Sequence, residues 1–234
     1  MITNISFDLW LTLIRSHPLF KKRRAELLAD IYNSKGLSVA QIENLIRERD
    51  KVFDRYNEFT GKKIPAKYMY LDILKKANNL PDNITLQQAE DFENQANELF
   101  VEYCPILLND NIHNILESLY TDGLTLNLAS NTGFVEGYTL RIVLEKLEIL
   151  RYLSFCIFSD EVNASKPSGT FFQRICEETD VPKRQILHIG DNPKTDYEGA
   201  VAFGFSALLI TKNNYTLNDI KAKLQSEYHS LLRV

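Results

Sequence analysis

The chain opens MITNISFD, with apolar residues at Ile2, Ile5 and Phe7 ahead of a single acid, Asp8. A short apolar run that ends on a charge reads as a buried strand over residues 2–8, delivering a carboxylate at its end. From about Leu19 to Tyr103 the period changes. Apolar residues now recur at helical spacing in four stretches, 19–34, 38–58, 66–78 and 85–103, broken by KGLS, TGKKIP and NNLPDN. Ser38 before VAQIENLI and Thr85 before LQQAEDFE are placed as helix N-caps, with acids or amides in the turn that follows.

Beyond Cys104-Pro105 the pattern alternates: helix 110–121, strand 124–130, helix 135–147, strand 154–158, helix 168–179, strand 185–190, helix 194–203 and strand 206–210. Alternation of this kind predicts an α/β fold with a Rossmann-like parallel sheet and helices on both faces, and strand 2–8 belongs to that sheet. The sheet domain is then discontinuous, residues 1–15 and 104–234, with an all-helical domain over 16–103 inserted after the first strand. A last amphipathic segment, 216–232, is expected to be a helix that packs on the sheet domain or on a partner.

With 234 residues, 44% of them hydrophobic, the chain can bury a substantial core. Its net charge of −4 gives no basic footprint for nucleic acid or acidic lipid. The local cluster KKRR at 21–24 is expected to be a solvated helix face. No apolar run approaches the ~20 residues of a membrane span, and the first residues lack the order of a signal peptide, so a cytoplasmic protein, monomer or homodimer, is expected. Cys104, Cys156 and Cys176 are widely spaced and odd in number, which favours buried free thiols over disulfides or a metal site.

Open parallel sheets bind ligands beyond the carboxyl ends of their strands. Strand 2–8 delivers Asp8 there, strand 124–130 delivers Ser130, Asn131 and Thr132, the segment after 154–158 brings Lys166, and strand 185–190 brings Asp191 and Asp196. Acids clustered at buried strand ends repel one another and call for a cation, for which a hard divalent ion, Mg²⁺, suits oxygen ligands and accepts a phosphate oxygen. Lys166 neutralises Asp8 and offers a donor to charge that develops on a transferring group. The segment from Ser130 to Gly133 leads into a helix whose first N–H groups suit a phosphate, and Asp8 as nucleophile would split displacement into two steps. Each feature alone also reads as a turn, an N-cap or a solvated loop. Their joint order at successive strand ends is what favours a site.

Four segments, FDLWLTL, LNLASNTG, SDEVNASKPSGTFF and HIGDNPKTDYEGA, together resemble the four ordered motifs of the haloacid dehalogenase-like (HAD) hydrolase superfamily. The resemblance implies a C1-type helical cap over about 16–103 that closes on the site and selects substrate. It implies Asp8 as nucleophile, Mg²⁺ held by Asp8, the backbone carbonyl of Trp10 and Asp191, and Asp196 supporting the metal from behind its ligands. Thr12, Ser130, Asn131 and Lys166 would bind the transferring group of a small phosphorylated substrate, and Lys166 would balance charge.

Trp10 stands where phosphatases of this superfamily carry the aspartate that protonates the leaving group, and indole cannot exchange that proton near neutral pH. Leu11 replaces a usual glycine, and Asn163 replaces another in the loop before the lysine. Three readings follow. One is a phosphatase confined to good leaving groups or borrowing a donor from the cap, with Arg15, His17, Lys21 and Tyr68 as candidates. A second is a non-catalytic binder of phosphorylated ligands whose pocket Trp10 fills. The third is a 2-haloacid dehalogenase-like hydrolase, which needs a cap arginine such as Arg47 or Arg49. The phosphatase is favoured. His188, in the strand before Asp191, is expected to be a core residue turned from the rim.

Overall fold

The computed structural model describes residues 1–210 and 216–231. In chain order, β1 (Asn4–Phe7) runs through a tight turn into β2 (Ile14–Arg15), and four helices follow: α1 (Phe20–Ile31), α2 (Val39–Thr60), α3 (Ala66–Ala77) and α4 (Leu86–Glu102). The chain returns through β3 (Ile106–Leu107), α5 (Ile112–Thr121), β4 (Thr125–Ser130), α6 (Gly137–Lys146) and β5 (Cys156–Phe158). It ends with α7 (Ser159–Val162), α8 (Gly169–Thr179), β6 (Ile186–Gly190), α9 (Gly199–Phe203), β7 (Ser206–Leu209) and α10 (Leu217–Leu231).

Five strands form one parallel sheet in the order β5-β4-β1-β6-β7, with β1 at the centre and all four of its residues buried. Strand alternation sorts the side chains to two faces. Ile5, Phe7, Leu128 and Ile189 pack with α5 and α6, whereas Ala129, Ile157 and Ile186 pack with Phe171, Phe172 and Ile175 of α8. Covering both faces removes the apolar strands from water, at roughly 1.5–3 kcal/mol for each fully buried large side chain. The expected parallel sheet and its flanking helices are therefore present. Ile220 of α10 is buried in the first of these cores and Lys221 pairs with Asp122 at 2.9 Å, so this helix packs back on the sheet. Position 232 of the predicted helix lies outside the described residues.

The four inserted helices share a separate apolar cluster. Its buried members lie between Ala25 and Ala96, with one exception: Phe134, from the loop after β4, whose ring is 4.8 Å from that of Tyr70 and 6.2 Å from that of Phe53. Both predicted caps form, Ser38 and Thr85 each completing a capping box with the glutamine three residues on. At the base of the insert, β2 and β3 pair in antiparallel fashion, Ile14 with Leu107 and Arg15 with Ile106, and so tie its entry to its exit.

The insert is also fastened to the rim of the sheet. Gly61, left-handed at φ 67° where α2 ends, accepts a hydrogen bond from the Ser165 N–H at 2.9 Å. Glu58 pairs with Lys194 at 2.8 Å, and the N–H of Ala66, at the start of α3, donates to Glu136 at 2.7 Å.

Some elements differ from the sequence expectation. The predicted helix 194–203 is a π turn over Pro193–Glu198 followed by the short α9. Of KKRR, Lys21, Lys22 and Arg23 are solvated as expected, but Arg24 turns inward and is only 7% exposed. The three cysteines are free, yet half-buried rather than buried.

Candidate active site

Asp8 follows β1 directly, its N–H held by the carbonyl of Ile189 at 2.8 Å, and its carboxylate is buried. The chain then reverses. Leu11 takes a left-handed conformation at φ 57°, which a side chain bearing a β-carbon adopts at a cost of about 1–2 kcal/mol. The turn buries Thr12 and directs its hydroxyl to Asp8 Oδ2 at 3.4 Å.

Lys166 reaches the same point from the segment after α7, which bends at Asn163 (φ 48°), a left-handed conformation that asparagine tolerates. Its Nζ lies 2.8 Å from Asp8 Oδ1, 2.6 Å from Asp196 Oδ1 and 2.8 Å from the carbonyl of Ala129. Asn131 clamps the lysine from behind, accepting from its N–H at 2.8 Å and donating to its carbonyl at 3.0 Å. One donor and the oxygen of that amide are thus used on the lysine backbone, and Asn131 also lines the cavity. The Ser130 hydroxyl is fully buried and donates to the Asn131 carbonyl at 3.1 Å, behind the wall that Asn131, Thr132 and Gly133 present.

Asp191 follows β6 and is partly exposed, while Asp196 is folded back beneath it and accepts a bond from the Asn192 N–H at 3.0 Å. One ligand atom from each of Asp8, Asp191 and Asp196 falls within 4.8 Å of the others. His188 is fully buried as expected, with Phe172 edge-on at 5.6 Å, but it is not remote from the rim chemistry. Its Nε2 lies 3.5 Å from both Lys166 Nζ and Asp196 Oδ1.

The charges are unequal in their effects. Burial pushes the Asp8 carboxyl up, and the carboxylates of Asp196 and Asp191 push it further; Lys166 opposes them, and the balance is about 7. Burial acts against the charge on Asp196 as well, but Lys166 and His188 outweigh it and hold that carboxyl well below the usual range. Burial likewise disfavours the Lys166 ammonium, and Asp196 and Asp8 more than restore it. His188 is lowered by burial and by the ammonium of Lys166. The ammonium of Lys166 is thus shared between Asp196 and Asp8, with a carboxylate oxygen of Asp191 close by. An all-oxygen donor set of this kind fits a hard divalent cation.

These groups form the floor of a cavity of about 460 Å³ between the sheet rim and the insert. One wall is aromatic: Trp10, 6.1 Å from Phe100, which in turn meets Phe20 edge-on at 5.0 Å. The indole lines the space and leaves it open. The insert adds Lys21 and Arg24 from α1, the guanidinium of Arg24 lying 5.1 Å from the Phe20 ring and 5.0 Å from that of Phe134. It also adds Asp50, Asp54 and Glu58 from α2.

Of the cap residues singled out from sequence, Lys21 alone is among those lining the cavity. Arg15 is exposed on β2, His17 packs on Tyr103 at 5.6 Å, and Tyr68 is exposed. Arg47 bonds Asn44, and Arg49 pairs with Asp72 at 2.6 Å. The arginine facing the cavity is Arg24, and the acids of α2 were missed. Their four-residue spacing beside the buried stripe Ile42, Ile46 and Phe53 was the signal available.

A family model of haloacid dehalogenase-like hydrolases matches residues 2–204. The Rhythmically expressed gene 2 protein of Drosophila melanogaster is 35% identical over 88 residues, 36% of this chain, and the match spans about a third (34%) of that protein's length. Among solved structures, a 2-haloacid dehalogenase from Pseudomonas syringae superposes with a TM-score of 0.69 at 17% identity, covering 97% of this chain and 99% of its own. A HAD phosphatase from Thermococcus onnurineus gives 0.66 at 20% identity, covering 95% and 98%. The HAD hydrolase YfnB from Bacillus subtilis, bound to magnesium, gives 0.65 at 15% identity, covering 89% and 88%. With a family match across most of its length and the same fold in these neighbours, the chain belongs to the haloacid dehalogenase-like hydrolases.

Proposed function

We propose that this hydrolase is a metal-dependent phosphatase of small phosphorylated molecules, working through a phosphorylated Asp8. The observation that carries the reading is the floor of the cavity, where Asp8 stands 2.8 Å from the buried Lys166 and beside Asp191 and Asp196. Asp8, the Trp10 carbonyl and Asp191 are the groups we assign to Mg²⁺, with Asp196 steadying Lys166 behind them. When bound, the ion would neutralise the acids and a phosphoryl oxygen.

A carboxylate oxygen of Asp8 attacks phosphorus, and the bond to the leaving oxygen breaks. Lys166 offers a preorganised donor to the charge that builds on the phosphoryl oxygens, and Thr12 fixes the second oxygen of Asp8 so that the first faces the substrate. Ser130 joins by rotating its hydroxyl off the Asn131 carbonyl. Water then cleaves the acyl phosphate and returns Asp8. The helical insert over 16–103 serves as the cap: it supplies one side of the cavity, and Lys21 and Arg24 suit further negative charge on the substrate. The likeness to a HAD phosphatase from Thermococcus and to a magnesium-bound HAD hydrolase from Bacillus supports this reading.

The test is a panel of phosphorylated metabolites and activated esters, with Mg²⁺, on wild type and Asp8→Asn. Turnover that falls at least about a thousandfold in the variant is expected, as for loss of a nucleophile. Equal rates in the two proteins, or metal-independent halide release from a 2-haloacid, would overturn the proposal.

A further inference from the structure

The indole of Trp10 leaves the phosphatase reading without a proton donor, and the helix opposite supplies a replacement. Asp50, Asp54 and Glu58 line the cavity from one face of α2, four residues apart. The two outer acids mark where that face lies over the sheet. Asp50 Oδ1 is 3.5 Å from the position a β-carbon would take at Gly133, in the loop after β4, and Glu58 pairs with Lys194, in the turn after β6. In the sheet, β1 runs between β4 and β6. Eight residues of helix rise about 12 Å, and two strand spacings cover about 10 Å, so the stretch of α2 between those two anchors, with Asp54 at its middle, crosses from β4 to β6 on the far side of the cavity that Asp8 also lines.

The three acids are not equivalent. Glu58 is committed to Lys194, and Asp50 faces the positive charges of Arg24 and Lys21. Among the described residues no cation lies within ion-pair distance of Asp54, whose side chain is accessible and can exchange protons with water. Although the residue reaches solvent, desolvation of its carboxyl where it faces the cavity, with the like charges of Asp50 and Glu58, raises that carboxyl to about 7, an effect that Lys63 only partly offsets. A group that gives and takes a proton near neutral pH is what a two-step hydrolysis needs.

We propose that Asp54, from the insert, is the acid and base that Trp10 cannot be. In the first step the Asp8 oxygen bonds to phosphorus, the bond to the leaving oxygen breaks, and that oxygen takes its electron pair and the Asp54 proton, departing as an alcohol. In the second, a water oxygen bonds to phosphorus while Asp54 accepts its proton. The bond to Asp8 breaks with its electrons returning to the carboxylate, and inorganic phosphate leaves with Asp54 protonated again. This rests on the phosphatase reading, and it widens the substrate class from activated esters to ordinary alkyl phosphates.

The experiment compares wild type, Asp54→Asn, Asp54→Glu and Asp8→Asn on ethyl phosphate and p-nitrophenyl phosphate with Mg²⁺. Asp54→Asn is expected to lose about 10²–10⁴-fold on ethyl phosphate, the range of a general acid. On p-nitrophenyl phosphate it should release about one p-nitrophenol per protein in a burst and then turn over slowly, because the first step there needs no proton and the second still does. Asp54→Glu should recover at least about tenfold. Turnover that requires Asp8 but is within about threefold of wild type in Asp54→Asn, or a loss equal on both substrates without a burst, overturns this inference alone. No turnover by wild type, or turnover that survives Asp8→Asn, overturns it together with the phosphatase reading.

Discussion

Gly190 closes β6, and the side chain of Asp196 is folded against its α-carbon; a methyl group there would stand 2.4–2.5 Å from three atoms of that carboxylate arm. Asp196 has no room to retreat, since Lys166 and the Asn192 N–H hold both of its oxygens. Gly190→Ala is therefore expected to cost about 1–3 kcal/mol in urea unfolding, as overpacking does, and to lower turnover by releasing Lys166. A variant as stable and active as wild type would mean that the carboxylate is not held there. At this scale the sequence was most informative where a residue type is costly without a partner. Acids and a lysine at the ends of apolar strands must find each other, so Asp8, Lys166, Asp191 and Asp196 were legible. Arg24 was not, because nothing in KKRR says which of four cations turns inward. That Asn131 engages the Lys166 backbone was not legible either, because the contact joins segments 35 residues apart.

At the scale of elements, the inserted helices were readable because their apolar period is sustained and their starts are marked. The Ser38 hydroxyl accepts a bond from the Gln41 N–H, and Gln41 Oε1 accepts one from the Ser38 N–H at 2.9 Å. Ser38→Ala should lower stability by about 1 kcal/mol, the usual worth of a polar cap, measured as a fall in urea midpoint at constant slope. An unchanged midpoint would show that the first turn of α2 is held by its tertiary contacts instead. The elements that escaped the sequence are short. Two-residue strands such as β2 and β3 carry no period, the four-residue α7 has too few positions for one, and the π turn before α9 has the residue types of an α-helix start. What shapes that turn is Asp196 reaching back under Gly190, a constraint set by the sheet.

At the scale of the whole molecule, the apolar core of the insert meets the two cores of the sheet domain across a charged cavity, bridged by Phe134 and by the contacts of Glu58, Gly61 and Ala66 with the rim. A ligand that binds the folded acids stabilises both bodies through that junction. If Mg²⁺ is held as proposed, a concentration a hundredfold above its Kd should add about 2.7 kcal/mol, or about 5–10 °C in Tm for a chain of this size. Asp191→Asn should abolish the shift; a shift that persists in that variant, or none at millimolar Mg²⁺ in wild type, would exclude these acids as the metal's ligands. The sequence by itself determined the fold class, the helical insert after the first strand, and the set of charged groups at the strand ends, because apolar periodicity and the cost of burying charge act locally along a chain. Only the tertiary structure decided which face of α2 overlooks Asp8, that Arg24 points inward, and that the indole lines the cavity without filling it. Those outcomes depend on how the separately packed insert and sheet meet, and such contacts between distant segments leave no periodic trace in either.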